Sequence, residues 1–125
     1  MVLNILYHGL SCFEIEAKSA KGLVRIVADP YNTKGIGLRL PRTLSADILT
    51  ISCGSELHNN IEAVARQGLL ITEPGEYEKG GVFVYGIPSG MDVEGKESKN
   101  IIFRFELEDI SIVHLGDLTD RKSVV

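Results

Sequence analysis

The sequence predicts an α/β domain rich in strands, mostly antiparallel or mixed, with one clear helix. Three observations lead there. Short runs of β-branched and aromatic residues recur along most of the chain, closed by Gly, Pro, Asn or Asp. One segment, residues 59–67, changes to helical spacing. The 125 residues, 44% hydrophobic and 24% charged, have ordinary globular composition and fit one domain, 1–125, with a real core.

The elements follow in order. VLNILYH (2–8) and SCFEIEA (11–17) flank Gly9-Leu10 and read as a hairpin, the second run alternating Cys12, Phe13 and Ile15 with polar neighbours. LVRIVA (23–28) is a third strand, stopped at Asp29-Pro30 because proline lacks a ladder donor and restricts the residue before it. Residues 31–43 contain Gly35, Gly37 and Pro41 and read as a surface loop. ADILTISC (46–53) is an apolar, buried strand running into Gly54-Ser55. In NNIEAVARQ (59–67), Ile61, Val64 and Ala65 fall at helical spacing, with Asn59 or Asn60 as N-cap and Gly68 just past the end. Five further strands are expected at 69–72, 76–79, 82–87, 100–106 and 110–114, two of them joined through Gly80-Gly81, and residues 89–99 read as a solvated loop.

Charge and cysteine usage narrow the function classes. Thirteen Lys+Arg against 17 Asp+Glu give a net charge of −4, and no basic run is interleaved with aromatics, so neither nucleic acid nor an anionic membrane is an expected partner. No stretch of 18 apolar residues occurs, and Met1 to Leu10 lack the features of a signal peptide, which predicts a cytoplasmic location. Cys12 and Cys53 are too few for a disulfide framework and too far apart for a CxxC site, and are expected as reduced thiols.

Chemistry-bearing side chains gather at strand ends and in loops: His8, Asp29, Cys53 with His58, Met91, and His114 with Asp117. The segments GLSCFEIE, ADPYN, ADILTIS running into ELHNN, ITEPGEYEKGGVFVYGIP, DVEGKESKN and HLGDL, in that order, resemble the metallo-β-lactamase superfamily, more narrowly its small bacterial Zn-dependent hydrolases. The resemblance implies the β-rich half of an αββα sandwich. It also implies a site between two sheets where one or two zinc ions are held by a His-x-His-x-Asp-His loop, a histidine in a later loop and an aspartate after a later strand, with a metal-bound hydroxide as nucleophile.

The four loop positions fall on Cys53, Ser55, Leu57 and His58, so only the last keeps its residue type. The later histidine falls on Met91, and the aspartate survives as Asp117. Leu10 occupies the position of a further family histidine, with His8 two residues earlier. Neutral serine is a poor zinc ligand and a thioether suits Cu(I) better, so the expectation is no cofactor, with His58 and Asp117 the remaining metal candidates and Cys53, His58 and Asp117 the remaining catalytic ones. The family continues beyond HLGD into further strands and helices, whereas this sequence ends eight residues after Asp117, so the resemblance implies, as an expectation, a truncated or half-length domain with a bare sheet. A homodimer, a partner subunit or the missing half would cover that sheet, the homodimer being the commonest solution.

Each residue also has a plainer reading: Cys53 as a core hydrophobe, His58 as a helix cap, Asp29 as organiser of its own turn, Asp117 as acceptor of loop amides, Met91 as a contact residue, and His114 as a half-buried pairing residue. Two functions follow. One is a metal-free, non-catalytic member of the fold that serves as a structural or interaction module, self-associating. The alternative is a hydrolase, either metal-dependent or rebuilt around a Cys53 nucleophile with His58 or His114 as base and Asp117 as orienter.

Overall fold

A computed structural model describes residues 1–89 and 100–118, with Arg66 and Gln67 described by their backbone alone; Met91 and nearly all of the expected 89–99 loop lie outside the described residues. Two sheets form. The first takes β1 (Val2–Gly9), β2 (Cys12–Ser19), β3 (Gly22–Ala28), β4 (Ser45–Thr50) and β5 (Arg66–Ile71) in sequential order. The second takes β6 (Gly75–Lys79), β7 (Val82–Pro88), β8 (Ile101–Glu106) and β9 (Ser111–His114), also in sequential order.

Local chemistry sets the connections. Gly9 and Leu10 both adopt positive φ (105° and 49°) and turn β1 into β2, an antiparallel pair in which Ile5 faces Ile15. Gly80 and Gly81 (φ 62° and 86°) make the two-residue turn that closes Lys79 against Val82, as the sequence predicts. The two parallel pairings, β3 with β4 and β4 with β5, need crossovers, and residues 29–44 and 51–65 supply them.

Period-two alternation builds the core. Ile15, Ile26, Ile48 and Ile71 from the first sheet pack with Val82, Val84, Ile101, Phe103 and Phe105 from the second. The opposite face of the first sheet is covered by its own crossovers, where Tyr31, Leu44 and Val64 close over Cys12, Val27 and Leu49. The outward face of the second sheet carries Phe83 (49% exposed), Ile87 (49%) and Val113 (53%), with the Arg104 guanidinium carbon 4.4 Å from the Tyr85 ring centroid. Among the described residues, no helix is long and apolar enough to cross a membrane.

The clear helix expected over 59–67 does not form. Ile61–Ala63 make a single 3-10 turn, Asn60 caps it without a side-chain bond, and Val64 is already extended (φ −95°, ψ 111°). Tertiary pairing overrides the helical pattern: Val64 is buried against the first sheet, the Ala65 amide bonds the Leu44 carbonyl (2.7 Å), and Arg66 opens a strand parallel to β4. Gly68, read from sequence as a helix terminator, lies inside β5, where a Cβ would come within 2.3 Å of the Asp47 carbonyl oxygen. The strand expected over 46–53 ends at Thr50, and residues 51–53 lead into the loop that carries the site.

Gly68→Ala is therefore expected to cost about 2 kcal/mol or more, because the clash is with backbone rather than a movable side chain. Urea unfolding of both proteins measures the difference; a change near zero would mean that the strands separate freely at this point.

Candidate functional site

Since β3 and β4 run parallel, their carboxyl ends lie side by side, and the residues that follow them meet. Asp29, fully buried with φ 53°, sends its backbone amide to the Thr50 carbonyl (3.0 Å). Its carboxylate accepts three bonds: from the Ser52 amide (2.8 Å) and the Ser52 hydroxyl (2.5 Å), and from His58 Nδ1 (2.9 Å). A His58 that donates through Nδ1 is fixed with Nε2 toward the surface, 3.9 Å from Asp117 Oδ1.

The loop between Cys53 and His58 is held by its own bonds. The His58 amide donates to the Ser55 carbonyl (2.9 Å), Asn59 Nδ2 to the Gly54 carbonyl (2.9 Å), and the Asn32 amide to the Glu56 carbonyl (3.0 Å). Ser55 is exposed, its hydroxyl accepting the Leu57 amide (3.3 Å), and Leu57 is 43% exposed.

Asp117 reaches the same place from the second sheet. The Ile101 amide donates to the Ser52 carbonyl (2.8 Å), which ties β8 to the end of β4. Buried Asn100 donates from Nδ2 to the Leu115 carbonyl (2.9 Å) and accepts the Asp117 amide at Oδ1 (2.7 Å). Gly116 (φ 66°) packs so closely that a Cβ would fall 2.5 Å from Asn100 Oδ1 and 2.5 Å from Ser52 Cβ, which is why glycine precedes this aspartate. Cys53, His58 and Asp117 thus each bring one ligand atom within 4.8 Å of the others, with Cys53 partly exposed, His58 buried and Asp117 exposed. A cleft of about 640 Å³ adjoins them, lined by Ser52, Cys53, Asn59, Glu73 and Asn100 among others.

The electrostatics favour protons on the two inner groups. The hydrogen bond from His58 to Asp29 pushes the imidazole pKa above its ordinary value, against the opposing effect of burial, and the Asp29 and Asp117 charges add to the rise. Burial pushes the Cys53 thiol up, and the same two carboxylates add to it, while bonds from Ser55 and Ser52 act the other way. Cys12, buried within the first sheet, rises to about 12 through burial first and then through Asp29 and Glu14.

The other sequence candidates lie elsewhere. His8 pairs with Glu14 (2.9 Å), and its carbonyl accepts the Tyr31 hydroxyl. His114 is buried, bonds the Ser11 carbonyl through Nε2 (2.8 Å) and stands edge-on to Phe13 (5.8 Å between centroids). The orienter of His58 is Asp29, which the sequence offers as organiser of a turn, and not Asp117. Ser52 and Asn100 are the residues that sequence reasoning missed. Their signal is a polar side chain within or beside an otherwise apolar run, TIS and NIIF.

Among the described residues, one group of three donors lies close enough to hold a cation. Three ligand atoms satisfy the protein share of a site that keeps an open position, but Ser55 and Leu57 face solvent, so a second cation has no ligands among the described residues of the loop.

Residues 4–124 match the family profile described as "Beta-lactamase superfamily domain". The chain belongs to the metallo-β-lactamase superfamily. A solved structure from Thermotoga maritima, described as a "putative zn-dependent hydrolase of the metallo-beta-lactamase superfamily", is 33% identical, with a TM-score of 0.68 over 91% of this chain and 49% of that one. A second, from Parabacteroides distasonis and described as a "putative metal-dependent hydrolase", has a TM-score of 0.67 over 92% of this chain and 60% of that one; at 11% identity it shares the fold alone. The chain spans about half the length of the first metallo-β-lactamase relative. Nothing among curated proteins matches.

Two predictions follow from the titrating groups. Because the folded pKa of His58 is raised, its contribution to stability is complete below its unfolded value of about 6.5 and is lost as pH rises through the folded value. His58→Asn, which keeps a donor for Asp29 without titrating, is expected to flatten that part of the pH profile of the melting temperature; an unchanged profile would assign the slope to other groups. In thiol labelling of the native protein near neutral pH, Cys12 is expected to react only on unfolding and Cys53 more slowly than a free thiol. Rapid labelling of Cys53 would contradict its raised pKa.

Proposed function

We propose that this chain is a metallo-β-lactamase-fold domain without a working hydrolytic centre, serving as a structural or interaction module that associates with itself. The observation that carries the reading is the direction of the loop side chains. In the loop Ser55 and Leu57 are exposed and His58 is the buried imidazole, which supports a donor set, among the described residues, smaller than a two-cation hydrolase uses. The thiol supports it further: burial holds the Cys53 pKa above its ordinary value, which works against the thiolate a cation would need there. The half-exposed Phe83, Ile87 and Val113 on the second sheet are consistent with a surface that meets another protein.

A second reading is favoured by one specific observation, the approach of Cys53, His58 and Asp117 to within 4.8 Å. These three residues would hold a single zinc ion, which when bound supplies Lewis acidity and an acidified water. Asp29 would then orient His58, and Asn100 would place Asp117.

Metal content of protein expressed in zinc-supplemented medium separates the readings. Zinc well below one equivalent per chain, with no ester hydrolysis above background, is the expected result. One tightly held equivalent that disappears in both Cys53→Ala and Asp117→Ala would overturn the metal-free reading and establish the single-cation site.

A further inference from the structure

Four strands present free edges among the described residues, and three carry features that discourage pairing with another chain. β6 holds Glu76, Glu78 and Lys79; β9 has only four residues; β5 has Gly68 within it. The exception is β1. It is eight residues long, contains neither proline nor a Lys, Arg, Asp or Glu, and exposes apolar side chains on both faces: Ile5 (53%) and Tyr7 (62%) on one, Val2 (60%) and Leu6 (39%) on the other.

We propose that the β1 edge, residues 2–7, is where a second copy of this chain docks, by antiparallel strand addition that joins two five-stranded sheets into one of ten. The inference rests on the self-association named in the proposed function and identifies its surface as the strand edge rather than the outward face of the second sheet. Charge permits this occupant and the side-chain pattern selects it. Each copy carries a net −4, and residues 2–7 hold no Asp, Glu, Lys or Arg, so two copies can meet there without setting like charges against each other. The nearest carboxylates are engaged: Glu14 pairs with His8 (2.9 Å) and Glu16 approaches Arg25 (3.8 Å). At the far end the Tyr31 hydroxyl takes the His8 carbonyl, which limits the open ladder to the residues before it.

The pattern is also self-complementary. Leu3, Ile5 and Tyr7 share one face, opposite Ala17, Ile15 and Phe13, while Val2 and Leu6 share the other. An antiparallel two-fold that sets Ile5 against its own counterpart places Leu3 against Tyr7 of the second copy, apolar against apolar on one face. A register shifted by one residue would bring opposite faces together and lose the match.

Light scattering after size exclusion tests this on wild type, Ile5→Lys, Tyr7→Lys and Phe83→Lys, all substitutions at exposed positions that leave the core intact, with circular dichroism and melting temperature confirming the fold. The expected result is a wild-type dimer whose dissociation constant rises more than about tenfold in Ile5→Lys and Tyr7→Lys and is unchanged in Phe83→Lys. In a Cys53→Ser background, Ile5→Cys is expected to give a reducible covalent dimer on mild oxidation that Cys53→Ser alone, with Cys12 buried, does not give. A dimer broken by Phe83→Lys alone would overturn the edge assignment while leaving self-association in place. A wild-type monomer would overturn both, and neither result would alter the outcome of the zinc measurement.

Discussion

The site hangs on one buried carboxylate. Asp29 sits where β3 leaves the sheet, has no exposed surface, and satisfies its oxygens with the Ser52 amide, the Ser52 hydroxyl and His58 Nδ1. A buried carboxylate without such donors would cost several kcal/mol, at least about 3, so these bonds are a condition of the loop geometry. From Ser52 the connections continue: its carbonyl takes the Ile101 amide, Asn100 beside it takes the Asp117 amide, and Gly116 leaves room for both. One chain of hydrogen bonds thus runs from the end of β3 through β4 and β8 to the end of β9 and, together with the bond from His114 to the Ser11 carbonyl, ties two sheets whose shared core is apolar.

This network explains how the loop from Cys53 to His58 keeps its shape. The turn from Cys53 to His58 is closed by Ser55, Gly54 and Glu56 carbonyls accepting from His58, Asn59 and Asn32. None of these bonds requires a cation. The Asp29 carboxylate is met by the Ser52 amide and hydroxyl and by His58 Nδ1, and that last bond pushes the imidazole pKa up. A loop closed by its own backbone carbonyls leaves positions 53, 55 and 57 less constrained in residue type than Asp29, Ser52 and His58.

How far the sequence discloses all this varies by element for physical reasons. The strands from β1 to β4 and from β6 to β9 are legible because period-two patterning and Gly or Pro boundaries are local signals. The segment 59–67 is not, since its helical spacing coexists with a parallel pairing to β4 that depends on residues some twenty positions earlier, and Gly68 carries the same letter whether it ends a helix or admits a close strand. Cys53, His58 and Asp117 are legible as candidates, but their convergence is not, because Asp117 arrives through Asn100 and Gly116 from the other sheet. Asp29 reads as a turn former because Asp-Pro is ordinarily that. Its role emerges only when β3 and β4 are known to lie parallel with adjacent ends.

The site and the β1 edge are separable in this architecture. The hairpin register places Tyr7 opposite Phe13 and Phe13 opposite Ala28, so only the last residues of β1 come near the end of the sheet where Asp29 stands, and Val2 to Leu6 run away from it. Between β1 and β4 stand β2 and β3, whose Ile15 and Ile26 are fixed in the inter-sheet core and transmit little displacement. Pairing at β1 would extend the sheet without moving the Cys53 to His58 loop, and an ion at Asp117 would leave the edge unchanged. The proposed association edge and the cluster of Cys53, His58 and Asp117 therefore occupy separate places in the fold, so that a substitution at one reports on that one alone.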